Sequence, residues 1–166
     1  MRLGPDGQPV RVQVTVRNDL DEVIETLELV REHWADVGIA LDLDVVERSL
    51  FRTRTRANEH DAAADNAEGG GLDFFMIGDN WFPSDPASYW GFGWYQWLDG
   101  ETEPPALEPG PTVMKTSELW YQAVSTLDPS ERAAKADELL EIVADEFWQI
   151  GIARPVEGYG IAKTNL

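Results

Sequence analysis

The chain has 166 residues, 43% hydrophobic and 27% charged, the size and composition of one globular domain with enough apolar surface to fold alone. Thirteen Lys and Arg stand against 31 Asp and Glu, and a formal charge of −18 repels phosphate backbones and anionic lipid, which argues against nucleic-acid and membrane-surface partners. With no Cys, disulfides, zinc-thiolate sites and thiol catalysis are excluded. No run of about 18 apolar residues occurs, and the opening residues lack the apolar stretch of an export signal.

In chain order, Val10, Val12, Val14 and Val16 alternate with polar residues, a period of two that predicts a strand over 10–16. Asp19 with Glu22 forms a capping-box pattern before Val23, Ile24, Leu27, Val30 and Trp34 at helical spacing, and Gly38 is placed to end that helix. Alternation resumes with Ile39, Leu41, Leu43 and Val45, so a βαβ unit with adjacent parallel strands is predicted. A shorter helix follows over 49–59, with Leu50 and Phe51 turned inward, and then a weak strand over 60–66.

Gly69-Gly70-Gly71 breaks regular structure, and residues 72–111, with six prolines, read as one long loop. Two helices are predicted beyond it. The first carries Val113, Ser117, Trp120, Tyr121, Val124 and Leu127 on one face. The second starts from Asp128 as N-cap with Pro129 in the first turn, and turns Ala133, Ala136, Leu140, Val143 and Phe147 inward. Together they form a helical hairpin, with a final strand or two over 150–161.

Few residues point to chemistry. His33 and His60 stand far apart, so no metal ligand set emerges, and His33 reads as a surface residue near a helix end. Asp61, Asp65, Asn66 and Glu68 have carboxylates near calcium-loop spacing without the glycine and terminal glutamate of that loop. No Gly-x-Ser-x-Gly or phosphate-binding glycine loop occurs, and catalytic residues, metal and cofactor are all read as none. The arginines 48, 52, 54 and 56 read as a solvated helix face. What stands out is residues 81–97, which hold eight of the 17 aromatics: Trp81, Phe82, Tyr89, Trp90, Phe92, Trp94, Tyr95 and Trp97. Rigid rings in an irregular segment suit stacking on sugars or peptides, or they fill a core beneath the loop.

Several stretches carry a family resemblance. They are Arg31-Glu32-His33-Trp34-Ala35-Asp36-Val37-Gly38-Ile39, Glu47-Arg48-Ser49-Leu50-Phe51, His60-Asp61-Ala62-Ala63, Trp81-Phe82-Pro83, Gly100-Glu101 with Glu103-Pro104-Pro105, Thr126-Leu127-Asp128-Pro129-Ser130-Glu131-Arg132 and Trp148-Gln149-Ile150-Gly151. In this order they resemble the C-terminal half of family 5 extracellular solute-binding proteins, the oligopeptide- and dipeptide-type subunits of ABC importers. The resemblance implies an α/β fold, a three-layer type II periplasmic-binding-protein-like lobe with a mixed sheet, a βαβ start and a C-terminal helical hairpin. Residues 1–166 would be one domain, the C-terminal lobe of a larger two-lobe protein.

It also implies a function without catalysis: binding a small solute, such as a peptide or oligosaccharide, outside the cell or in the periplasm, and docking on ABC permease subunits. Partners would be the solute, the permease and the N-terminal lobe of the same protein. A ligand-anchoring carboxylate follows the strand after the second helix in this family, by position Glu68, with Asp65 or Asn66 where relatives often show a tryptophan. Asn66, Trp81, Tyr89 and Trp90 complete the expected ligand-binding set. An extracellular carbohydrate-active enzyme or an adhesion module are the alternatives from other classes.

Overall fold

The computed structural model describes residues 1–66 and 78–152. Strand β1 spans Arg11–Arg17, helix α1 Asp21–Asp36, strand β2 Ala40–Val46, helix α2 Arg48–Arg56 and strand β3 Ala62–Ala64. Two short 3-10 turns, Gly78–Asn80 and Tyr89–Gly91, precede helix α3, Phe92–Leu98, and the chain continues through α4, Pro111–Ser125, and α5, Pro129–Glu146.

The alternating valines of β1 make it the middle strand of a parallel sheet with order β2-β1-β3. Register sets Val14 beside Leu43 and Ala62, and Val16 beside Val45 and Ala64. On that face Val14, Val16, Leu41 and Ala64 are buried with Leu27 of α1, and Val23, Ile24, Val30 and Trp34 pack around them. The opposite face is covered by α2: Phe51 and Thr55 are fully buried there, and Arg54 pairs with Asp44 of β2. The sheet is therefore a middle layer between α1 and α2. All three described strands are parallel, and an antiparallel member of the expected mixed sheet is not among them.

The helix ends show what the sequence pattern resolves and what it does not. Gly38 adopts φ +84°, and a Cβ there would lie 2.8 Å from the Arg2 backbone nitrogen, so glycine is required at this turn. The expected cap at Asp19 does not form. Asp19 Oδ1 instead accepts a 3.0 Å bond from Arg17 Nε, and α1 begins after Leu20 without a side-chain cap. In α2, Glu47 caps the helix by accepting from the Ser49 N–H at 2.8 Å, and Leu50 is exposed while Phe51 is buried. The inward reading of Leu50 fails because the two residues lie 100° apart on the helix and the sheet covers one of those directions.

Asp128 caps α5 as its sequence predicts, accepting from the N–H groups of Ser130 and Glu131 at 2.9 Å. Helices α4 and α5 form the expected hairpin, but its seam is rotated from the predicted one. Leu119, Ala123 and Leu139 are buried in it, with Trp81, Trp120, Ala136, Ile142 and Val143 packed around them. Tyr121, Leu127, Leu140 and Phe147 are exposed, as is Ala133. Two adjacent leucines in α5 leave the helical phase ambiguous by one residue, and packing on α4 selects Leu139. Phe147 lies past the end of α5 in the left-handed region, φ 57°, which is why it leaves the helix stripe.

Within the segment expected to be one long loop, residues 72–77 lie outside the described residues, and residues 78–98 contain the two 3-10 turns and α3. Gly93 of α3 sits against the following strap: a Cβ there would lie 2.6 Å from the Pro105 carbonyl, and the Leu107 N–H donates to the Gly93 carbonyl at 2.9 Å. Residues 99–104 are exposed, as their composition predicts. Of the strands expected over 150–161, residues 150–152 form none and the remainder lies outside the described residues.

The rotated seam makes a direct forecast for urea unfolding. Leu139→Ala removes a fully buried side chain and is expected to cost about 2–5 kcal/mol. Phe147→Gly, which removes an exposed ring and supplies a residue suited to φ 57°, is expected to leave stability unchanged or raise it by up to about 1 kcal/mol.

Candidate functional site

The strand order determines where a ligand crevice can open. From β1 the chain crosses over α1 to β2 on one side, then over α2 to β3 on the other, so its direction reverses between β1 and β3. In open parallel sheets such a switch point leaves a crevice at the carboxyl ends of the strands. Here those ends are Arg17 of β1 and Asp65-Asn66 beyond β3.

Arg17 is largely buried, its side chain 11% exposed, and its guanidinium bridges two carboxylates: Nε donates to Asp19 Oδ1 at 3.0 Å, and Nη1 lies 3.3 Å from Asp65 Oδ1. The short β3 is held by a similar device at its other end, where Asp61 Oδ2 accepts from the Gln13 N–H of β1 at 3.0 Å. Of the acids near calcium-loop spacing, Asp61 and Asp65 are thus taken up by contacts to β1. Among the described residues no group of three His, Cys, Asp or Glu could hold a metal ion.

Tyr89 joins this crevice from the second 3-10 turn. Its ring meets Phe51 of α2 edge-on, with centroids 5.1 Å apart. Burial, and then the nearby charge of Asp65, hold its phenol above the usual tyrosine range, so it is a protonated donor at neutral pH. The Tyr89 carbonyl accepts from His60 Nε2 at 3.1 Å, which anchors the turn to the residue that leads into β3. His60 Nδ1 is buried without a hydrogen-bond partner among the described residues.

Of the expected ligand residues, Glu68 lies outside the described residues. Asn66 is exposed beyond β3, its N–H bonded to Asp65 Oδ1 at 2.8 Å. Tyr89 is half-buried between Phe51 and the charge of Asp65. Trp90 diverges from it, stacking on Trp148 at 4.9 Å with planes 14° apart, because consecutive residues of a 3-10 turn point about 120° apart. Trp81 is half-buried against the α4–α5 seam. The eight aromatics are mixed in role: Phe82 and Phe92 are buried and the other six half-buried. Arg17 and Asp65 are the residues that sequence reasoning left out of the ligand set. The missed signal is an arginine ending the alternating strand, a charge placed where the sheet leaves its core.

His60 gives the site a pH signature. Desolvation holds its imidazole below the usual histidine value, against the opposing pull of its bond to Tyr89 and the charge of Asp61. The unfolded chain therefore takes up a proton, as pH falls through about 6.5, that the folded chain takes up only at lower pH, and stability drops over that window. His60→Gln keeps a donor toward Tyr89 and cannot titrate. In urea unfolding from pH 7.5 to 5.5, the wild type is expected to lose stability relative to this variant, and a constant difference would show that His60 is not held neutral.

Neither a family model nor a curated protein matches the sequence, but solved structures do. The oligopeptide-binding protein OppA matches with a TM-score of 0.73 and 28% identity over 89% of this chain. NikA from Brucella suis, in complex with Fe(III)-EDTA, matches with a TM-score of 0.62 and 21% identity over 86% of this chain. The periplasmic binding protein MelB from Agrobacterium fabrum, in complex with stachyose, matches with a TM-score of 0.64 and 14% identity over 89% of this chain. The chain spans about a quarter of the length of these structures, 25%, 26% and 21% respectively. Among the described residues no helix is long and apolar enough to cross a membrane. The chain thus shares the fold of part of these solute-binding proteins, and its sequence motifs resemble the family 5 type of extracellular solute-binding proteins.

Proposed function

We propose that this chain is one lobe, the C-terminal one, of the solute-binding component of an ABC importer, and that it contributes the crevice between the carboxyl ends of β1 and β3 to the solute site. The observation that carries the reading is the Arg17–Asp65 pair beside the Tyr89 phenol at the switch point of a sheet whose structural neighbours are binding proteins. Such a crevice offers a fixed guanidinium, a carboxylate already partly neutralised and a phenol donor. These groups orient a polar solute by hydrogen bonds, while the aromatic segment supplies apolar contact.

Peptides and oligosaccharides are the solute classes this chemistry fits, since both combine hydrogen-bonding groups with surfaces that stack on rings. The described residues present no nucleophile–base pair at the crevice, and the proposed role is binding without turnover. The N-terminal lobe of the same protein would close over the solute, permease subunits would receive the closed form, and the site of action would be outside the cell or in the periplasm. Glu68 and Asn66 would flank the crevice from the chain beyond β3, with Trp81 and Trp90 contributing as the aromatic segment meets the second lobe.

Calorimetric titration of the two-lobe protein against a panel of peptides and oligosaccharides tests this reading. Tyr89→Phe retains the ring and removes only the hydroxyl. It is expected to weaken the best ligand about tenfold, equivalent to about 1.4 kcal/mol, without a matching loss of stability. Asn66→Ala and Glu68→Ala are expected to act in the same direction. Undiminished affinity in all three variants would move the solute site away from this crevice.

A further inference from the structure

A second concavity lies away from the sheet, between residues 82–84, the C-terminal turn of α3 and the middle of α4. It encloses about 200 Å³. Its walls include the rings of Phe82, Tyr95 and Tyr121, the carboxylate of Asp99 and the side chains of Ser84 and Ser117. Phe82 is buried and fixed against Trp120 at 5.2 Å and Tyr121 at 5.6 Å, so the aromatic wall is rigid, while Tyr121 remains 57% exposed toward the opening. The Tyr95 hydroxyl donates to the Asp99 carboxylate one turn further along α3, and burial followed by that carboxylate's charge keeps the phenol protonated.

The charge of this cleft is one-sided. No Lys or Arg lines it, and Asp99 forms no ion pair with a described residue. The whole chain carries −18, so the surrounding field also favours a cation and disfavours an anion. Aromatic faces present negative quadrupole density, and the exposed Asp99 carboxylate beside them adds a full charge. A neutral polyol could use the serines and Asp99 as hydrogen-bond partners, but would gain nothing from the carboxylate's charge or the ring quadrupoles.

We propose that the cleft formed by Phe82, Tyr95, Asp99 and Tyr121 binds a small alkylammonium group, with the cation over the tyrosine faces and its positive charge against Asp99. The volume admits one head group with a short chain rather than a whole peptide, which makes this a subsite for a compact amine. It is separate from the crevice at β1 and β3, and neither site depends on the other.

The test is an NMR titration of the full chain with n-butylammonium chloride, using n-butanol and sodium butyrate as matched neutral and anionic probes. Saturable shifts of the amides of Ser84, Tyr95, Asp99, Ser117 and Tyr121 are expected with butylammonium. Binding of butanol and of butyrate is expected to be at least about tenfold weaker. Asp99→Asn preserves an acceptor for Tyr95 and removes only the charge, and is expected to weaken butylammonium about tenfold. Tyr121→Ala, at an exposed position, is expected to weaken it severalfold. Equal affinity for butanol, tighter binding of butyrate, an unchanged affinity in Asp99→Asn, or the absence of saturable shifts at these amides would each overturn the proposal. Solute titrations of Asp99→Asn in the two-lobe protein are expected to match wild type, so failure here is distinguishable from failure at the crevice.

Discussion

The central position of β1 is the constraint on which the rest of the structure depends. A strand paired in parallel on both sides must be reached by crossovers on opposite faces, so α1 and α2 are committed to separate layers as soon as β2 and β3 take opposite flanks. The same topology leaves the carboxyl end of β1 uncovered, and Arg17 occupies it. Held by Asp19 and Asp65, its guanidinium ties the strand's exit to the chain beyond β3. A half-buried ion pair of this kind contributes little net stability once desolvation is counted. Its effect is positional, because it fixes both walls of the crevice relative to one another.

The aromatic segment couples this sheet to the helical hairpin. Tyr89 meets Phe51 on the α2 layer, Trp90 and Trp94 gather around Trp148 just beyond α5, and Phe82 packs against Trp120 and Tyr121 of α4. Ring-to-ring contacts supply large buried areas at low cost in side-chain entropy, so a short, largely irregular stretch can hold two layers together. It follows that these aromatics are neither purely core nor purely cleft. Each half-buried ring divides its surface between protein and solvent.

How much of this was legible in the sequence depended on whether a signal had one physical solution. The alternating valines and the Asp128-Pro129 start did, and β1, β2 and the α5 N-terminus formed as read. Asp19 had two solutions, a helix cap or an ion pair, and the adjacent arginine of β1 selected the second. Leu139 and Leu140 likewise offered two phases for α5, and only the position of α4 decides between them. Helix α3 escaped notice because its apolar residues surround it on several sides and glycines precede and interrupt it, which erases the amphipathic period. Arg17 escaped because a charged residue ending a strand is ordinary until the strand order shows which end opens.

The two sites also differ in charge, and that difference follows from which elements supply it. Around the Tyr89 phenol, the charge of Asp65 is opposed by those of Arg52, Arg17 and Arg56, so charges of both signs meet beside β3. The arginines of α2 are central to this, since Arg54 is consumed by Asp44 on the sheet while Arg52 and Arg56 stay exposed on neighbouring turns. At the α3–α4 cleft there is no such mixture, with Asp99 unopposed by any lining cation. In a chain of charge −18, local arginines offset the overall field only at short range. On the proposed reading the crevice therefore offers a solute partners of both signs, whereas the cleft offers a carboxylate alone.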